Sequence, residues 1–436
     1  MGIAQTLYEK AKKLIPGGTQ LLSKRPEIFL PDLWPAYYEK AKGCRVWDLD
    51  GNKYTDMSYM GIGASILGYA DKDVDSAVKT AVDKGSMCTL NCPEEVELAE
   101  LLCKLHPWAE MVRYARTGGE AMAIAVRIAR AKTGKDLILF CGYHGWHDWY
   151  LSANLADNKA LDGHLLPGLK PKGVPRVLKN SAIPFNYNDI KGFLNLVDKY
   201  KNKIGTVVME PLRNYYPEKG FLETIREMTE KLKIVLIFDE ITSGWRLNLG
   251  GAHLKLGVNP DIAVFGKGIS NGYPMAAIIG KSEVMEVAQE TFISSTYWTE
   301  RIGPVAALAT IRKLKERDVP SHLINIGKKI QNGWRESAEK NRLKISVSGI
   351  YPLGHFSFNY EDPLILKTLF TQLMLERGFL ATDSFYASYA HREKNVEKYL
   401  EVVDEVFEFI ARAIKENKVK KYLKGPICHS GFRRLT

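Results

Sequence analysis

A chain of 436 residues with 45% hydrophobic and 10% aromatic content can bury a large core, and no run reaches the roughly 20 apolar residues of a membrane-spanning helix. Six cysteines, at 44, 88, 92, 103, 141 and 428, show no paired spacing and no nearby histidine cluster; this argues against a disulfide framework or a metal site and for a reducing cytoplasm. The formal net charge of +11 raises nucleic acid binding, but much of the excess collects in the C-terminal KENKVKKYLKGPICHSGFRRLT, and no nucleic-acid-binding motif is present, so attraction of small anions is the simpler expectation.

In chain order, residues 3–14 read as an amphipathic helix ending at PGG, and it lacks the apolar core of a secretory signal. The stretch CRVWDLDGNKYTDMS (44–58) alternates around an Asp-Gly turn and predicts a β-hairpin. A helix follows at about 71–85. From residue 94 the rhythm changes to helix 94–105, strand 111–115, helix 119–133, strand 136–140, helix 189–200, strand 205–209, helix 219–231, and strands 233–238 and 261–265. Strands and helices alternating at this spacing imply a large α/β domain, 71–318, with a mostly parallel doubly wound sheet. Beyond it, helices at 320–341, 362–376 and 393–415 with strands near 343–347 and 353–359 predict a smaller α+β domain, 319–436, with which the segment 1–70 is expected to pack.

Two stretches carry the chemistry. VLIFDEITSGWR (235–246) ends an apolar strand on Asp239 and Glu240, and FGKGISNGYP (265–274) holds one lysine, Lys267, among glycines. Ligands of a parallel sheet bind at the carboxyl ends of its strands. A partly desolvated carboxylate there needs a cationic partner, and a lysine in such a setting is a nucleophile toward aldehydes. The pair suggests pyridoxal phosphate (PLP), held by Lys267 as a Schiff base with Asp239 facing a protonated pyridine nitrogen. On these two residues alone a surface aspartate and a surface lysine remain an equal alternative. RTGGEAMAIAVRIAR (116–130) opens a helix on paired glycines, whose free N–H groups suit a phosphate, and CGYHGWHDWY (141–150) places aromatics and histidines after a strand, where a flat ring can stack on Tyr143 or the loop can simply pack on itself.

Together with MEPL (209–212) and SSTYWTERIGPVAALAT (294–310), these stretches occur in the order and spacing of the class III aminotransferases, PLP enzymes of fold type I, which the chain resembles from about residue 10 to 412. LIPGGTQ, WDLDGNKYTDMS and GFLATDSFYASYAH make the glutamate-1-semialdehyde aminomutase subgroup the most similar in layout. The resemblance implies that Lys267 binds the cofactor and shuttles a proton, and that Asp239 pairs with the pyridine nitrogen. It places Ile241 under the ring, Tyr143 stacked on the opposite face with His144 beside it, Gly118 and Gly119 at the phosphate, and Glu210 near the cofactor's hydroxyl side, with Asn214 as its neighbour. Thr296 matches the threonine that reaches the phosphate of a neighbouring subunit, which implies a homodimer with shared sites.

Departures bear on the reaction. Gly119 stands where the family has serine or threonine. TYWTERIGP replaces a small, glycine-containing segment, so that Trp298, Glu300 and Arg301 are expected to crowd or charge the substrate mouth. Lys24, with Arg25 beside it, stands at the offset of the aminomutase's carboxylate-binding arginine. These differences favour an aminotransferase with a separate amino donor, probed first with glutamate, and a ketone or aldehyde acceptor of sugar-related or anionic type. The intramolecular aminomutase is the alternative; a decarboxylase, a racemase, or a non-catalytic protein with an unreactive Lys267 are further ones.

Overall fold

The computed structural model describes residues 2–212 and 214–431. The chain divides into two compact units, 72–320 and a second one built from 2–71 together with 321–431.

The larger unit is organised by a seven-stranded sheet. Its strands lie side by side in the order Met111–Ala115, Ala276–Gly280, Ile262–Phe265, Val235–Asp239, Ile204–Met209, Leu137–Cys141 and Ala182–Pro184. All are parallel except Ala276–Gly280, which runs antiparallel to both its neighbours. Five of them, among them LILFC, IGTVVM and VLIFD, are buried at every residue, as expected of strands covered on both faces.

Alternation along each strand feeds two cores. Ile138, Phe140, Val208, Val235 and Ile237 pack on one face with Ala121, Met122, Ala125 and Ile128 of the helix Gly118–Thr133. Leu139, Val207, Met209, Leu236 and Phe238 pack on the other face with Phe193 and Val197 of Ile190–Tyr200, and with Phe221, Leu222 and Ile225 of Phe221–Lys231. Each fully buried side chain of this size contributes about 1.5–3 kcal/mol relative to exposure.

Two strands of this unit lie outside the sequence expectations. Ala182–Pro184 is three residues long and ends in a proline, which only an edge position tolerates. Ala276–Gly280 sits within a glycine- and proline-rich stretch that reads as loop, and its place between Met111–Ala115 and Ile262–Phe265 is set by long-range pairing that no local pattern encodes.

The second unit contains the helix Ile3–Leu14 and a four-stranded sheet in the order Tyr38–Lys42, Arg45–Asp48, Lys53–Asp56, Phe379–Leu380. The expected hairpin is present: Asp48 accepts from Asp50 N, Asn52 N, Asn52 Nδ2 and the Tyr54 hydroxyl at 2.8–3.1 Å, and Gly51 takes the φ of +82° that the turn requires. A three-stranded antiparallel sheet, Ile345–Ser348, Leu353–Phe358 and Ser384–Tyr386, packs Phe356 edge-on against Trp334, Phe370 and Phe407. These last two partners come from Pro363–Glu376 and Glu393–Lys415, and the Trp334 indole donates to the buried Tyr399 hydroxyl at 3.1 Å.

Candidate active site

Because the parallel strands share one carboxyl edge, the segments that follow them converge there: 116–120, 142–147, 210, 239–242 and 266–267. Asp239 has the parity of Val235 and Ile237, so it belongs to the face covered by the helix Gly118–Thr133. It is only 4% exposed. Its Oδ1 accepts the Ile241 N–H at 3.0 Å, and its Oδ2 lies 2.8 Å from His144 Nδ1. The other imidazole nitrogen, Nε2, is 3.0 Å from the Cys141 carbonyl. A carbonyl can only accept, so Nε2 carries a hydrogen, and the contact between Nδ1 and Oδ2 then requires one further proton between the two residues.

Glu240, the next residue, has a separate role. It is fully buried; its Oε1 accepts from His253 N at 2.8 Å and His253 Nδ1 at 2.9 Å, and its Oε2 from Ser243 Oγ at 2.6 Å. The Trp108 indole donates to His253 Nε2 at 3.0 Å, which fixes that ring as the Nδ1–H tautomer. Burial pushes the Glu240 carboxyl up, but the hydrogen bonds from His253 and Ser243 outweigh it and hold the group below the usual range. Beside this network, His106 accepts Gly251 N–H and is pushed down to about 4 by burial. The adjacent acids therefore divide: Asp239 lies on the sheet face covered by the helix Gly118–Thr133, and Glu240 closes a separate structural network.

Lys267 begins a short turn after Ile262–Phe265 with φ of +45°, a backbone strain of order 1 kcal/mol for a residue other than glycine. Its Nζ donates to Thr242 Oγ1 at 2.8 Å. Ile241 packs between two glycines: a Cβ at Gly118 would lie 3.0 Å from its Cδ1, and one at Gly266 3.3 Å from its Cγ2. Gly118 and Gly119 form the first turn of their helix, where N–H groups lack intrahelical acceptors; Thr117 and Glu120 form a capping box just before and within that turn.

The Tyr143 N–H donates to Glu210 Oε2 at 3.3 Å, and its ring meets Tyr150 edge-on at 6.1 Å. Glu210 and Asn214 line a cavity of about 170 Å³ together with His164, Asn186, Tyr187 and Tyr215. Thr296 is exposed in the turn Thr296–Thr299. Glu300 caps the helix Ile302–Glu316 through Ile302 N and Gly303 N, and its Oε1 lies 2.7 Å from Arg116 Nε. Arg116 also donates to the Trp298 and Glu300 carbonyls, while Arg301 forms a forked pair with Glu94 at 2.6–3.1 Å. Both charges are thus engaged by the large unit itself. Lys24 and Arg25 lie in the other unit, at the turn Leu22–Lys24 and just before the helix Pro26–Phe29. Thr242, Arg116, the Trp108–His253–Glu240 network and His147 were not singled out in the sequence. Their partners lie up to 184 residues away, so only the motif that places His147 near the strand end offered a signal.

The class-III aminotransferase pattern matches residues 31–382, and the chain belongs to that family. It is 33% identical over 433 residues to the glutamate-1-semialdehyde 2,1-aminomutase of Methanocaldococcus jannaschii, covering 94% of this chain and 98% of that one. It is 32% identical over 415 residues to the 3-aminobutyryl-CoA aminotransferase of Cloacimonas acidaminovorans, covering 92% and 96%. Among solved structures, an omega-transaminase from Sphaerobacter thermophilus superposes with a TM-score of 0.83 at 27% identity, over 94% of this chain and 98% of that one. Class III aminotransferases use pyridoxal phosphate, and the residues at this edge fit it: a cradle of two glycines at a helix start, a buried carboxylate with a proton-bearing partner, and a lysine in a strand-end loop. Among the described residues there is no cluster of metal ligands and no helix long and apolar enough to cross a membrane.

One consequence of the Glu240 network is testable. His253→Ala takes the Nδ1–H donor from a buried carboxylate, which keeps the backbone N–H of position 253 and Ser243, and leaves the Trp108 indole without its acceptor; it should lower stability by roughly 1.5–3 kcal/mol, read as an earlier urea transition of the holoenzyme. Glu240→Gln, which retains an acceptor for the His253 donors, should lose less. Equal, small losses for both would show that the network contributes little.

Proposed function

We propose that the protein is an aminotransferase that takes an amino group from an amino-acid donor, glutamate in the first place, and passes it to a ketone or aldehyde acceptor of anionic or sugar-related type. The observation that carries this reading is the convergence of Lys267, Asp239 and the Gly118–Gly119 cradle on one sheet edge. When bound, PLP supplies a reactive carbonyl and an electron-withdrawing ring. In this reading Asp239, steadied by His144 and the Ile241 N–H, holds the proton on the pyridine nitrogen. Ile241 and Tyr143 would confine the ring, and the first-turn N–H groups of Gly118 and Gly119 would take the phosphate. Lys267, now donating to the Thr242 hydroxyl, would hold the cofactor through its carbonyl carbon, the carbonyl oxygen leaving as water, and would carry the proton at the substrate's α-carbon. Glu210, Asn214 and the cavity they line are assigned to the cofactor's hydroxyl side and to substrate.

An intermolecular reaction suits the remodelled segment 296–301, whose charges brace Arg116 and Glu94 instead of matching the aminomutase layout. The relative named for 3-aminobutyryl-CoA supports an anionic acceptor, as does the net charge of +11. The aminomutase relative at 33% identity keeps the intramolecular reaction as the second reading.

A cytoplasmic homodimer completes the proposal. All six cysteines are free thiols, and the segment around Thr296 exposes Phe292 and Tyr297, each more than 70% accessible and suited to burial against a second copy that receives Thr296. Sedimentation should give twice the chain mass of 49.1 kDa. A monomer that still holds PLP tightly would contradict the shared site.

The purified enzyme should be yellow, and borohydride should fix the cofactor on Lys267. Glutamate, or alanine if glutamate fails, should then bleach the visible band in one turnover and release stoichiometric 2-oxo acid without a second substrate. Labelling elsewhere refutes the cofactor assignment. Silence with every common amino acid, combined with conversion of glutamate-1-semialdehyde to 5-aminolevulinate, establishes the aminomutase instead.

A further inference from the structure

The helix start that receives the phosphate has no side-chain donor at its second position, because Gly119 offers only backbone. The space a side chain would fill there is occupied from the neighbouring loop. A Cβ built on Gly119 would lie 3.2 Å from Cδ2 and 3.4 Å from Nε2 of His147, and 3.4 Å from Cδ1 of Trp146. Two features hold the loop in place. Gly145, with φ of +99°, brings its backbone so close that a Cβ there would sit 3.0 Å from the Gly119 Cα, and Trp146 stacks on the His147 ring at 4.5 Å and 28°.

His147 Nε2 is shielded from solvent yet has no hydrogen-bond partner among the described residues. A buried nitrogen left unpaired costs about 1–3 kcal/mol, so such groups normally have a partner that the protein alone does not supply. Burial holds the ring below the usual histidine range against the pull of Glu120 and Asp148, so it is neutral at physiological pH and carries one N–H.

We propose that His147 is a cofactor-binding residue whose Nε2–H donates to the phosphate of PLP, taking the place of the hydroxyl that a serine or threonine at position 119 would provide. The inference rests on the PLP reading of the site and adds a residue to it. The structure makes the two positions alternatives: a side chain at 119 and the imidazole of His147 compete for the same space. It also explains the packing of an exposed tryptophan, 70% accessible, against this ring, since Trp146 fixes the imidazole plane beside the helix start.

The test compares uptake of PLP and of pyridoxal, the same ring without phosphate, by apoenzyme. For His147→Ala, PLP affinity should fall about ten- to a hundredfold, the range for loss of one hydrogen bond to a charged group, with pyridoxal affinity changed less than twofold. The ³¹P resonance of bound PLP should shift relative to wild type. His147→Gln keeps an N–H and should retain most of the affinity. The double variant His147→Ala/Gly119→Ser, with a hydroxyl in the vacated space, should recover it, whereas Gly119→Ser alone should weaken binding through crowding. Equal losses for PLP and pyridoxal, undiminished PLP affinity, or an unmoved ³¹P resonance overturns the proposal. Borohydride labelling of Lys267 is read separately, so a variant that labels normally and binds PLP at wild-type affinity counts against His147 and leaves the cofactor assignment standing.

Discussion

A carboxylate that is 4% exposed at the rim of an apolar sheet is the constraint from which this site is built. Asp239 cannot stay ionised there on solvation alone, because burying an unpaired charge costs far more than a typical fold has in reserve. The chain answers with a backbone N–H from Ile241 and a histidine whose far nitrogen is tied to the Cys141 carbonyl. That last bond does more than orient the ring. It commits one imidazole hydrogen, so the side facing Asp239 must share a proton with it. A carboxylate oxygen has more than one lone pair, so one braced in this way can still accept from a cationic ring nitrogen, the partner proposed for it.

The residue that follows shows how strictly strand parity separates tasks. Asp239 belongs to the face of the helix Gly118–Thr133, whereas Glu240 is drawn into His253, Ser243 and Trp108. Its network ties the loop after Val235–Asp239 to the segment after Glu94–Leu105, and the buried His106 sits alongside on Gly251. Such buried polar groups add little net stability, but once present each depends on all its partners. The strain at Lys267 fits the same scheme: a lysine with φ of +45° follows Gly266, which packs on Ile241, and its ammonium is held by the Thr242 hydroxyl.

Much of this was legible in the sequence because it depends on local period and composition. The strands Met111–Ala115 and Leu137–Cys141 and the helix Glu393–Lys415 fall within a residue of where apolar periodicity puts them. Asp239, Lys267 and Gly118 announce themselves by standing where strands end. What stayed hidden depends on partners distant in sequence. The antiparallel Ala276–Gly280 is two alanines, two isoleucines and a glycine between turn residues, and only its neighbours make it a strand. Glu300 and Arg301 read as free charges until Arg116 and Glu94 are placed beside them. Gly119 reads as a lost donor until the ring of His147 is found in the space.

The central claim, that Asp239 keeps a ring nitrogen protonated, is tested most directly by ¹⁵N resonance of the pyridine nitrogen in enzyme loaded with labelled PLP. The wild type should give a shift in the pyridinium range at neutral pH, moving to the neutral-pyridine range in Asp239→Asn with the cofactor still bound. A neutral-pyridine shift in the wild type, or a pyridinium shift that survives Asp239→Asn, would contradict it.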